Sequence, residues 1–121
     1  MGARKRGTDA VAAIRATVAG IDPEIVLDEH EEHLLTAIAR AYNRAADLDR
    51  DAAKARAAGK SSRGVTELLA ESRLQENQAE RWAKQITDAA QAVVTSSKKD
   101  WRAQKAARAR WDGVANSKAA R

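Results

Sequence analysis

A chain of 121 residues, 13.1 kDa and formal net charge +5 reads as one domain with tails, and the absence of cysteine excludes disulfides, Cys-based zinc sites and thiol catalysis. Alanine accounts for 29 residues and phenylalanine for none, so a lone chain has a thin core and is expected to gain further burial by oligomerisation. The charge is unevenly placed: residues 1–15 carry four basic and one acidic side chain, residues 98–121 eight and two, and residues 16–97 ten and fourteen. Basic ends on an acidic body fit a polyanionic partner, most often nucleic acid; the plainer reading is a pair of solubilising tails.

In chain order, residues 1–7 read as a disordered basic arm with Arg4, Lys5 and Arg6 as candidate phosphate contacts. A short helix is expected over 8–19, with Val11, Ile14 and Val18 as its stripe, Thr8 or Asp9 as its cap and Gly20 as its end. Ile21-Asp22-Pro23-Glu24 reads as a turn, and Ile25-Val26-Leu27 as an apolar patch under the first helix or against the next.

The segment 28–58 dominates the sequence. Leu34, Ile38, Ala41, Ala45, Leu48, Ala52 and Ala55 follow one another in alternating steps of four and three, the seam of a helix that packs on another helix. Asp28 and Glu31 have capping-box spacing, and Gly59 stands where a left-handed terminal residue is needed. After a loop over 59–64, a second long helix is expected over 65–94. Its stripe is Leu68, Ser72, Gln75, Ala79, Trp82, Ile86, Ala89 and Val93. Two such helices and a short loop predict an antiparallel hairpin within a helical domain over 8–94. Folding about 61–62 sets Trp82 against Ala41 and Ala45. Leu34, Ile38, Tyr42, Leu48, Leu68, Trp82 and Ile86 are the expected hairpin or oligomer packing residues. Ser72 and Gln75 on the seam either set register or line a wet interior.

Thr95-Ser96-Ser97 is expected to be a hinge before a basic tail over 95–121, itself a short helix or a disordered arm. Lys98, Lys99, Arg102, Lys105, Arg108 and Arg110 are candidate phosphate ligands; the alternatives are a protein partner or a solvated tail. Trp101 and Trp111 either dock on protein or contact bases. His30-Glu31-Glu32-His33 lacks metalloprotease spacing and reads as an acidic first helical turn, so no metal is expected. No phosphate loop, nucleophile elbow or catalytic carboxylate pair occurs, and neither an enzyme activity nor a cofactor is expected. Asp47 with Arg50, Asp51 with Lys54 and Glu80 with Lys84 read as solvated pairs on a helix face. No apolar run is long enough to span a bilayer, and Arg4, Lys5 and Arg6 are not followed by an uninterrupted apolar core, so a cytosolic protein is expected.

Leu27-Asp28-Glu29-His30-Glu31-Glu32-His33-Leu34-Leu35, Ala45-Ala46-Asp47-Leu48-Asp49, Glu71-Ser72-Arg73-Leu74-Gln75 and Ala106-Ala107-Arg108-Ala109-Arg110-Trp111 occur in an order and spacing that resembles the small subunit of phage terminases, particularly the short actinobacteriophage forms. The likeness covers about residues 25–86 and 101–111. Val65-Thr66-Glu67 lacks the proline often found at that helix start. The resemblance implies a non-catalytic packaging factor of the host cytoplasm. Such a factor forms homo-oligomeric rings, binds double-stranded viral DNA and regulates a terminase large subunit. The competing expectation is a helical adaptor whose basic tail grips an acidic protein.

Overall fold

A computed structural model describes the backbone of residues 2–119, and the side chains of residues 6–97 together with Trp101, Arg102, Ala103, Lys105, Ala106 and Arg108. The described residues are all-α, with three helices: α1 (Gly2–Ile21), α2 (Glu29–Ala57) and α3 (Ser62–Ala119). None of them is long and apolar enough to cross a membrane.

Local chemistry fixes the ends of α2. The Asp28 carboxylate accepts the Glu31 N–H at 2.7 Å, and the Glu31 carboxylate accepts the Asp28 N–H at 3.1 Å, which completes the capping box. Glu29, Glu31 and Glu32 lie in the first turn and Lys54 and Arg56 in the last, each sign matching the helix dipole. At the far end the Lys60 N–H donates to the Ala55 carbonyl at 3.0 Å and the Gly59 N–H to the Arg56 carbonyl at 3.1 Å. This Schellman pattern requires a left-handed residue, and Gly59 supplies it at φ +73°.

The next helix begins earlier than its sequence pattern suggests. The Ser61 hydroxyl lies 3.4 Å from the Gly64 N–H and caps the helix, so α3 starts at Ser62 and not at Val65. It then runs through Thr95-Ser96-Ser97 without the expected hinge. Neither proline nor glycine interrupts that stretch, and the Thr95 hydroxyl is satisfied by the Gln91 carbonyl at 2.9 Å.

The first helix also begins earlier than expected. Gly2 to Gly7 are its opening turns, so neither Thr8 nor Asp9 caps it. Gly20 lies inside it, and the Asp22 N–H still reaches the Val18 carbonyl at 3.0 Å. The chain then reverses in an elbow where the Asp22 carboxylate accepts the Glu24 N–H at 2.9 Å.

One cluster joins all three helices: Ile14 and Val18 of α1, Leu35, Ile38 and Ala41 of α2, and Ala79, Ile86 and Ala90 of α3. Leu34, Tyr42 and Trp82 pack against it half-buried, Leu48 is buried, and Leu68 is half-exposed. The predicted α2 seam holds from Ile38 to Ala52, with Leu35 more deeply buried than Leu34. The α3 stripe holds to Ile86 and then shifts: Ala90 is buried, whereas Ala89 and Val93 are exposed. An ideal helix drifts by about 20° per heptad, which moves the contact line by one position over this length. Ser72 is buried and donates to the Ala45 carbonyl at 3.1 Å, so this seam position is dry and hydrogen-bonded. Gln75 turns along its own helix to Glu71 at 3.2 Å.

Candidate nucleic-acid interface

Past Ala90 the described residues of α3 are exposed, apart from the half-buried Val94. Trp101, Arg102, Lys105 and Arg108 are all exposed, Trp101 at 61%. At 3.6 residues per turn, Trp101, Lys105 and Arg108 fall within about 60° of one another on the helix surface. The Lys105 ammonium sits 5.1 Å from the centre of the Trp101 ring, in cation–π range. The result is a helical rod with an indole and fixed cations facing water. Long cations on such a scaffold suit phosphates, and an exposed indole suits stacking or docking. Lys98, Lys99 and Arg110 lie on the same helix, and their side chains are outside the described residues, as are those of Arg4, Lys5 and Trp111.

Arg6 does not behave as an arm residue. Its guanidinium pairs with Asp49 of α2 at 3.2 Å and with Glu76 of α3 at 3.1 Å, and so ties the three helices at one end. Gly7 beside it is buried, and its N–H donates to the Asn43 side chain at 3.0 Å. Arg6 is therefore held by carboxylates of the body and not on a free arm. Glycine in the second turn of an unbroken helix is the one sequence signal that could have revealed this close approach. Nothing local marks Asn43 as its partner.

Other ion pairs brace the helices. Arg15 forms a two-pronged pair with Glu32, at 3.0 and 2.7 Å, which joins α1 to the start of α2. The hydrogen bond from Arg15 holds the Glu32 carboxyl below its usual range, and Arg15 is raised in turn. Burial pushes the Tyr42 phenol up, and the nearby charges of Glu80 and Glu76 add to that, against a smaller opposing effect of Arg6. Arg50 pairs with Asp47 as its spacing suggests, whereas Lys84 turns to Asp88 at 3.1 Å and not to Glu80. His30 and His33 are both exposed, and among the described residues no group of three or more metal-ligating side chains comes together.

No family model, curated protein or solved structure matches this chain.

Proposed function

We propose that this chain is a self-associating, DNA-binding helical protein that serves as the small subunit of a phage terminase, marking double-stranded viral DNA and regulating the large packaging subunit. The observation that carries the DNA half is the exposed cationic face of α3, with Arg102, Lys105 and Arg108 held off the body on one rod. The identity as a terminase subunit draws on the order and spacing of the segments that resemble that family.

On this reading α2 and α3 are an antiparallel hairpin. The connection of four residues between Ala57 and Ser62 and the Ser72–Ala45 hydrogen bond support it. Copies gather because one copy is poorly covered. The chain exposes 9137 Å², whereas a compact monomer of this mass exposes about 6,400 Å². Weak contacts from each rod then add through effective concentration.

The test is duplex binding by fluorescence anisotropy across a salt series. Replacing Arg102, Lys105, Arg108 and Arg110 by Ala is expected to flatten the slope of log affinity against log salt by about 3 to 4. Affinity that is unchanged at every salt concentration would remove α3 from the DNA interface.

A further inference from the structure

The α3 rod and the elbow between α1 and α2 are complementary. Among the described residues of α3 Ala90 is the last that is buried, yet its stripe continues: Trp101 lies about 20° from the line through Ala90, and Arg108 lies on it, five turns further along. The face that packs on α2 and α1 thus runs on with an indole and a guanidinium, and among the described residues nothing covers either. Its own elbow cannot cover it. α3 is one unbroken helix, and Trp101 stands about 16 Å beyond Ala90 along its axis.

The elbow carries the opposite features. Between Val18 and Leu27 there is an open groove of about 300 Å³, lined by Pro23, Ile25 and Val26, with the Arg15–Glu32 pair at its rim. Val26 is 89% exposed, a β-branched apolar side chain presented to water. Residues 22–32 contain six carboxylates and neither lysine nor arginine; residues 98–110 contain six cations and one carboxylate. An apolar slot on a carboxylate-rich segment matches an indole on a cation-rich one. Ile25 and Leu27 pack on the same cluster as Ile86 and Ala90, so the elbow and the root of the rod occupy the same end of the molecule.

We infer that the elbow groove receives the Trp101 face of α3 from a second copy of this chain. Because each copy carries both halves at one end, the exchange is reciprocal and closes on a two-fold pair. Trp101 enters the groove beside Val26. Arg102, Lys105 and Arg108 meet the carboxylates around Glu24 and Glu29. This rests on the self-association half of the proposed function, and it assigns that association to a defined surface; a ring would need a second contact elsewhere.

The experiment is sedimentation of the full chain at about 50 mM and about 500 mM salt, where screening of exposed charges differs several-fold. The wild type is expected to sediment as a pair that weakens at high salt. The double substitution Glu24→Lys with Val26→Lys, at two exposed positions outside the helices, should weaken pairing by about tenfold or more while leaving duplex binding in place. A chain bearing Arg102→Glu, Lys105→Glu and Arg108→Glu should also fail to pair with itself. Mixed with the elbow variant, it should restore one of the two contacts and yield a mixed pair. Association that is indifferent to both sets of substitutions overturns the elbow assignment and leaves self-association standing on another face. A wild-type monomer at low salt overturns both.

Discussion

Three glycines give one substitution three different outcomes. At Gly7 an added Cβ would stand well inside van der Waals contact with the Ala39 carbonyl oxygen and 2.7 Å from Asn43 Oδ1. A backbone carbonyl cannot rotate aside, so α1 must lift from α2. Overpacking of this kind costs about 1–3 kcal/mol, and loss of the Gly7–Asn43 hydrogen bond adds about 1 kcal/mol. Alanine's helix preference returns about 1 kcal/mol, which leaves Gly7→Ala destabilised by about 1–3 kcal/mol. At Gly20, also helical, nothing lies within 4 Å, so Gly20→Ala gains the propensity term alone, about 0.5 kcal/mol so near the helix end. Gly59 also has open space around it but sits at φ +73°, where a side chain costs about 1–2 kcal/mol. Urea unfolding of the three single variants, followed by circular dichroism with the denaturant slope held common, reads these signs directly. Each 1 kcal/mol should also move the thermal midpoint by about 4 °C. A Gly7→Ala chain as stable as wild type would mean that α1 does not approach α2 at Gly7. A destabilised Gly20→Ala would mean that local space does not set the sign.

Ser72→Ala should lower stability by about 1 kcal/mol and no more, because the Ala45 carbonyl keeps its own helical N–H partner and no buried group is orphaned; a shift in the urea midpoint checks it. The Glu32 carboxyl is held low in the folded chain by Arg15, so its contribution is complete above the usual carboxylate range and is lost as pH falls through the lowered value. Glu32→Gln should therefore reduce the thermal midpoint at neutral pH and converge with wild type in acid, in melts taken across that range. A constant offset at all pH values would mean that the pair contributes packing and not charge.

What the sequence makes legible divides by distance along the chain. The Asp28–Glu31 box, the Gly59 terminator and the four-three seam each depend on residues no more than a turn or two apart, and the structure forms them as the spacing implies. The Arg6–Asp49–Glu76 staple joins positions 43 and 70 residues apart, and depends on how α1 crosses the other two helices, which no local pattern encodes. The basic run at the N-terminus for that reason reads as an arm throughout, although one of its cations, Arg6, pairs with carboxylates of the body. The slip from Ala89 to Ala90 is of a third kind: a strict heptad projection neglects the drift that a straight helix accumulates over its length. Ser96 and Ser97 look like a break only because their polarity interrupts the apolar stripe. Serine is a few tenths of a kcal/mol poorer than alanine in a helix, far too little to end one that is already long. Of the candidate site, the exposed cations of α3 could be read from sequence, but the elbow groove could not, since it forms only when residues 21–27 are folded against Val18.

The two proposed uses of α3 draw on the same side chains, and this couples them. A phosphate backbone and the elbow of a second copy both neutralise Arg102, Lys105 and Arg108, so the two cannot be held fully at once by one rod. Binding linkage is reciprocal: by whatever factor DNA weakens the pair, the pair weakens DNA binding. Salt weakens both, because both contacts depend on screened charges. The Trp101 contact makes them differ in degree. Burial of an indole in the elbow is apolar and survives salt, whereas counterion release does not. Raised salt should thus release DNA first and leave the elbow contact residual, and an acidic elbow held by a neighbour becomes a competitor that DNA must displace. A chain whose DNA-binding cations rest against carboxylates until duplex arrives would bind tightly only where phosphate is locally dense, which suits a factor that must let go of its DNA as readily as it takes hold.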